Sequence, residues 1–155
     1  MRNRGNKVIA TNRRARHDYV LLERFEAGLV LTGPEIKSVR ANKVSLRHSF
    51  VQPKGGELWL FEANIAPYDR AGYEKQDPTR PRKLLLHRRE VDKIAEALTT
   101  KGLTMVPTKL YLKNGWAKIE VALARGKKRF DKRQALAKRD AKRQVERALK
   151  EKYRN

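Results

Sequence analysis

The chain has 155 residues, with 38 Lys and Arg against 17 Asp and Glu, a formal net charge of +21 and no cysteine. That length suffices for one domain with a modest core; the absence of cysteine excludes disulfides and thiolate zinc sites, and His17, His48 and His87 are too scattered for a metal cluster, so no cofactor is expected. So large a positive charge favours polyanions, nucleic acid first, through counterion release and steering.

The N-terminus "MRNRGNKVIATNRRARHDY" lacks the apolar stretch of a secretory signal, and no run of about 18 apolar residues follows that would span a membrane. A cytoplasmic protein with no membrane partner is expected. Within "RRARHDY", Arg14 and Arg16 are placed to hold a phosphate while His17 stacks or donates; the plainer reading is an exposed histidine beside Asp18. Next, "DYVLLERFEAGLVLT" shows two apolar runs around "EAG", the pattern of a hairpin. In "LTGPEIKSVR", Thr32 and Glu35 have capping-box spacing, Pro34 is tolerated in a first turn and Leu31 with Ile36 makes a hydrophobic staple. A helix of about two turns is expected there, and Glu35 is assigned to its stability first.

A second hairpin is expected in "SFVQPKGGELWLFEANI" around Gly55-Gly56. Residues 67–82, "PYDRAGYEKQDPTRPR", read as a long polar connection that is either mobile or used in binding. "HRREVDKIAEALTTKG" sets Val91, Ile94, Ala95 and Leu98 on one helical stripe ending at Gly102. The third hairpin, "TKLYLKNGWAKIEVAL", is the clearest. Asn114-Gly115 readily adopts the positive φ angles of a tight turn, and Ala117, Ile119, Val121 and Leu123 share one face, with Trp116, Lys118 and Glu120 on the other. Six strands with one apolar face each bury those faces best by curling up. The expected fold is mainly β, an OB-like closed six-stranded barrel with two or three flanking helices.

Charge sets the boundary between residues 1–124, a folded basic domain, and residues 125–155, a basic C-terminal tail. The tail holds 14 bases and 4 acids, and Ala137, Ala141, Val145, Ala148 and Leu149 draw only a thin apolar stripe along it. A helix this charged is marginal alone, so the tail is expected to be disordered when free and to order on a phosphate-lined surface. A solvated helical extension or a shapeless basic arm is the bland alternative.

The segments "NRRARHDY", "FEAGLVLTGPEIKSVRANK", "DPTRPRKLLLHRRE", "VPTKLYLKNG" and "GKKRFDKR", in this order and spacing, resemble the SmpB family, the tmRNA-binding proteins of bacterial trans-translation. The similarity runs over about residues 8–149, and several long motifs in register make it far more specific than any single pattern. It implies a non-enzymatic RNA-binding protein that holds the tRNA-like domain of tmRNA and delivers it to the A site of stalled ribosomes. The tail then occupies the empty mRNA channel and decoding centre, and elongation factor Tu is met indirectly through charged tmRNA.

Family positions used against tmRNA fall on Glu26, Leu85 and Lys118. A carboxylate in a basic surface accepts from an exposed base edge, a lysine meets phosphate and a leucine packs on a splayed nucleotide. Their plain readings are a turn acid, a core leucine and a solvated lysine. Lys37 and Arg40 are expected to face RNA from the first helix. The resemblance turns His17, with Arg14 and Arg16, towards the decoding region. It places Gly126 as a hinge, Phe130 as a stacking surface within the "FDKR" motif that includes Asp131, and Lys127, Lys128, Lys132 and Arg133 as phosphate contacts. Lys138, Arg139, Lys142 and Arg143 extend that cationic path. The chain departs from the family at Pro34, often another residue, and at Phe130, where some relatives have His or Tyr; stacking survives there and a titratable group is lost.

Two other classes compete. A structural ribosomal protein or a general RNA-binding OB-fold protein shares the size, charge and tail. An RNA-processing enzyme using His17 with Asp18 or Glu35 is disfavoured, because adjacent residues on a strand point to opposite faces and do not converge on one atom.

Overall fold

A computed structural model describes residues 6–68, 77–127, 142–148 and 150. The elements are β1 (Lys7–Thr11), α1 (Arg13–Asp18), β2 (Tyr19–Leu29), α2 (Gly33–Arg40), β3 (Val44–Ser45), β4 (Phe50–Lys54), β5 (Glu57–Phe61), β6 (Asn64–Ile65), β7 (Arg82–Leu85), α3 (Arg88–Thr99), β8 (Thr104–Lys113) and β9 (Trp116–Gly126). Six strands run β8-β4-β5-β7-β2-β9, and β9 pairs back onto β8, so the antiparallel ladder closes into a ring. Closure leaves none of these six backbones with a long open edge and turns their apolar faces onto one another. Leu58, Leu60, Leu84, Met105, Leu110, Ile119 and Val121 fill the interior, and α3 covers it with Val91, Ile94 and Ala97. The mainly β class, the six-strand ring and the three flanking helices match the expected architecture.

Two of the three expected hairpins form. Gly55 and Gly56 join β4 to β5 at φ 61° and 76°, and Asn114 and Gly115 join β8 to β9 at φ 51° and 84°. Paired positive φ angles match the twist of the strands they connect. The "EAG" turn does not form. β2 runs unbroken through it because Glu26, Ala27 and Gly28 pair with Glu120, Ile119 and Lys118 of β9. A Cβ at Gly28 would sit 3.3 Å from Leu85 Cβ on neighbouring β7, so this glycine admits a close side chain and makes no bend.

The sixth strand of the ring is instead β7, whose first residue closes the segment that reads as a polar connection. Arg82 is 0% exposed. Its Nε donates to Glu35 Oε2 at 2.7 Å, Nη1 to the Ala63 carbonyl at 2.7 Å and Nη2 to the Pro78 carbonyl at 3.0 Å. Arg80 adds a second guanidinium on Glu35, donating from Nε to Oε2 at 3.1 Å and from Nη2 to Oε1. The capping box is present too: the Thr32 N–H donates to Glu35 Oε1 at 2.9 Å and the Glu35 N–H to Thr32 Oγ1 at 3.3 Å. Burial pushes the Glu35 carboxyl up, but the bonds from Arg80, the Thr32 backbone and Arg82 together hold it below its ordinary value. Glu35 is thus the node joining α2 to β7, a larger structural role than the expected cap.

Ser38 of α2 is fully buried, and its hydroxyl has no hydrogen-bond partner among the described residues. An unpaired buried hydroxyl costs about 1–3 kcal/mol, so Ser38→Ala should stabilise the fold by roughly 1 kcal/mol. Urea unfolding checks this, with a raised midpoint at unchanged slope as the expected result.

The arginine-rich N-terminal motif is helical, where the enzyme comparison treated His17 and Asp18 as extended. Asn12 caps α1, its Oδ1 accepting from the Ala15 N–H at 3.2 Å, and its Nδ2 donates to the Pro107 carbonyl at 2.9 Å. Ala15 packs on Val106 and Ala124 outside the ring. The helix is therefore pinned across β8 and β9, with its charged side chains outward.

Candidate nucleic-acid interface

Strand register builds a first surface from residues far apart in sequence. Leu85 of β7 lies opposite Gly28 of β2, Gly28 opposite Lys118 of β9, and Lys118 opposite Tyr111 of β8. This row crosses four strands on the outer face. Leu85 is 54% exposed, which removes the core reading. Its side chain and the Lys118 ammonium both close over Gly28, 3.5 and 3.7 Å from where a Cβ would stand. Two residues along β2, Glu26 lies opposite Glu120, which lies opposite Lys109. At the hairpin tip Lys113 faces Trp116, which is 74% exposed.

Glu26 belongs to this face and not to a turn. Tyr111 Oη donates to its Oε2, and Lys113 Nζ donates to Oε1 at 3.3 Å. The Tyr111 hydrogen bond, then Lys113 and Lys118, hold the Glu26 carboxyl below its usual range, and burial together with that carboxylate pushes the Tyr111 phenol well above its own. Glu26 therefore stays an anion and Tyr111 stays a donor across the neutral range. The result is a surface of lysines, one exposed leucine, one exposed indole and fixed acceptors. Such a mixture meets phosphates, stacked rings and base edges together.

A second surface forms at the other end of the β2–β9 ladder. Tyr19 is paired with Gly126, so α1 and the start of the tail are neighbours, and Lys127 Nζ donates to the Arg16 carbonyl at 3.0 Å. Arg14 Nε meets Asp18 Oδ2 at 3.3 Å, His17 Nδ1 meets Asp18 Oδ1 at 2.9 Å, and Arg14 Nη1 approaches His48 Nε2 at 3.4 Å. The His17 side chain is 87% exposed. The His17 hydrogen bond and then Arg14 hold Asp18 below its usual range. Arg14, Arg16, His17, Gly126 and Lys127 are thus brought together. From Tyr19 to Gly28 the strand spans roughly 30 Å at about 3.3 Å per residue, which separates the two surfaces.

Lys37 and Arg40 are exposed on α2, and Lys37 Nζ lies 5.3 Å over the Tyr68 ring. Gly126 has no positive φ and open space around a notional Cβ, so packing does not demand glycine there. Residues 142–148 are helical with exposed side chains, including Lys142 and Arg143. Lys128, Phe130, Asp131, Lys132, Arg133, Lys138 and Arg139 lie outside the described residues. Among the described residues no group of three or more acidic, His or Cys side chains could hold a metal, and no helix is long and apolar enough to cross a membrane. The trio His17, Asp18 and Glu35 does not converge, since Glu35 is bound into the Arg80–Arg82 node.

Sequence reasoning missed Tyr111, Lys113 and Glu120 as members of the first surface. The alternation of the third hairpin already set Glu120 beside Lys118 on one face; only the ring closure set them beside Glu26.

The family model described as SmpB protein matches residues 9–151. Among curated proteins, the SsrA-binding protein of Roseiflexus castenholzii (strain DSM 13941 / HLO8) is 54% identical over 156 residues, covering 98% of this chain and 99% of its own. That of Chloroflexus aggregans (strain MD-66 / DSM 9485) is 55% identical over 148 residues, covering 95% and 94%. A solved structure described as "tmRNA-SmpB: a journey to the center of the bacterial ribosome" aligns with a TM-score of 0.63 and 50% identity, over 75% of this chain and 82% of that one.

Proposed function

Because the chain belongs to the SmpB protein family, we propose that it binds the tRNA-like domain of tmRNA and carries it to ribosomes stalled in the bacterial cytoplasm. The observation that supports this most directly is the row Leu85–Gly28–Lys118 with Glu26 beside it. An exposed leucine and an ammonium group closing over the same glycine, with an ionised acceptor on the same face, suit a folded RNA with an unstacked nucleotide better than a uniform duplex. The surface gathering α1 and the tail root suits a second RNA partner, the small-subunit decoding region, some 30 Å away by the same strand spacing. From there the basic tail enters the empty message channel and orders along its phosphates. If six tail bases each neutralise one phosphate, the log–log salt slope of that step is about −4 to −5. The role is binding and placement, without catalysis.

The test is the RNA that copurifies with the native protein. Strong enrichment of tmRNA over ribosomal and bulk RNA is the expected outcome, and stoichiometric association with every small subunit would instead make this a ribosomal component. Within the same frame, Leu85→Ala should leave thermal stability within about 0.5 kcal/mol, since the side chain is half exposed. It should weaken tmRNA binding by about 1 kcal/mol, roughly 5-fold, through lost apolar burial. Unchanged affinity in a filter-binding titration would remove Leu85 from the interface.

A further inference from the structure

Two carboxylates stand directly opposite each other, Glu26 on β2 and Glu120 on β9, on the most basic kind of surface. Like charges in register disfavour a sheet, and neither acid is there to satisfy the other. Each is held by its own donors: Glu26 by Tyr111 and Lys113, Glu120 by Thr108 Oγ1, which donates to Oε2. Glu120 Oε1 is left with Arg24 Nη1 at 3.9 Å, beyond hydrogen-bond reach. That oxygen belongs to a residue lining a concavity of about 300 Å³ that opens between β1, β2, β8 and β9. Arg24 and Lys109 line it too, Tyr111 forms part of its wall, and half-exposed Val8 provides an apolar flank. Lys109 Nζ sits 5.6 Å over the Tyr111 ring.

We propose that this concavity receives one unstacked nucleobase of the bound RNA, an adenine, cytosine or guanine whose exocyclic amine donates to Glu120 Oε1. This deepens the tmRNA-binding reading and rests on it. A phosphate is repelled by the paired carboxylates, so the pocket selects base edges where the surrounding lysines take the backbone. The fixed acceptor is matched by an exocyclic amine, and one available oxygen gives one hydrogen bond; uracil offers only its ring N3–H, flanked by two carbonyls that the carboxylates repel. Arg24 and Lys109 stand where the flanking phosphates of a splayed nucleotide run, and Val8 packs on its ring. The pocket is one register step from Lys118, so the same RNA reaches both.

The experiment compares the full-length wild-type protein with Glu120→Gln and Lys109→Met, each bound to the tRNA-like domain of tmRNA. Glu120→Gln keeps an acceptor for Thr108 and removes the charge; thermal melting confirms that both variants fold, and Lys109→Met, on the half-buried lip, carries the test if the first does not. Wild type should protect the base edge of one unpaired A, C or G against dimethyl sulfate or kethoxal. Glu120→Gln should restore that reactivity and weaken binding about 10-fold, and Lys109→Met should weaken binding with partial loss of the same footprint. Absence of base-edge protection in the wild-type complex, or a footprint and affinity unchanged in the folded variants, overturns the pocket assignment. A wild-type protein that does not bind this RNA at all overturns the tmRNA reading itself, a distinct result.

Discussion

Replacing Arg82 with Met should destabilise the protein by about 3–5 kcal/mol, the cost of removing one partner of a buried ion pair. Glu35 is 4% exposed and Arg82 fully buried, so water cannot replace the lost guanidinium. Two further acceptors, the carbonyls of Ala63 and Pro78, lose a donor at once. With total stability of about 5–15 kcal/mol for such domains, this is a large share, read as a fall in melting temperature of roughly 10 °C. Glu35→Gln combined with Arg82→Met should cost clearly less than the two single changes summed, because both sever the same pair. A loss below about 1 kcal/mol for Arg82→Met in urea unfolding would contradict a structural node.

The same node fixes an acid limb. The Glu35 carboxyl is held below its ordinary value near 4.5 in the folded state. Its contribution is therefore complete at pH values above the unfolded-state value and lost as pH falls through the lower folded-state one. Stability measured from neutral pH downward should decline across that range, and Arg82→Met should flatten the decline.

Cutting the chain after Arg125 should leave tmRNA affinity within a few-fold at physiological salt and abolish peptide tagging on stalled ribosomes. The first surface lies on β7, β2, β9 and β8, and no residue of it follows Arg125. The cut removes one strand pair, Tyr19 with Gly126, and the bond from Lys127 to the Arg16 carbonyl. It also removes most of the tail's bases, so the nonspecific component of RNA binding and its salt slope should both shrink. In the proposed mechanism, tagging needs the second surface and the channel it feeds. Parallel loss of tmRNA affinity and tagging would refute that division; full tagging by the truncated chain would remove the tail from the mechanism.

Sequence by itself determined what local chemistry can determine. The Asn114-Gly115 and Gly55-Gly56 hairpins follow from backbone angles that few residues other than Asn and Gly readily adopt, and the Thr32–Glu35 cap from a three-residue spacing. Alternation in β9 separated Ile119 and Val121 from Lys118 and Glu120, and charge alone pointed to a polyanion. The family motifs then supplied Glu26, Leu85 and Lys118 as candidates.

Only the tertiary structure decided how these residues meet. Gly28 within "EAG" carries a turn signal, yet eight register pairs along β9 hold β2 straight through it. Arg82 looks like one more solvated base in a polar connection; its burial depends on Glu35, which is 47 residues away, on the Ala63 carbonyl and on the Pro78 carbonyl of that same connection. Glu26 faces Glu120, and Leu85 nears Lys118, because a closed ring makes neighbours of β7, β2 and β9 that no local period encodes. A period of two tells which face a residue takes, whereas strand order and register, set by burial across the whole chain, tell which residues share it.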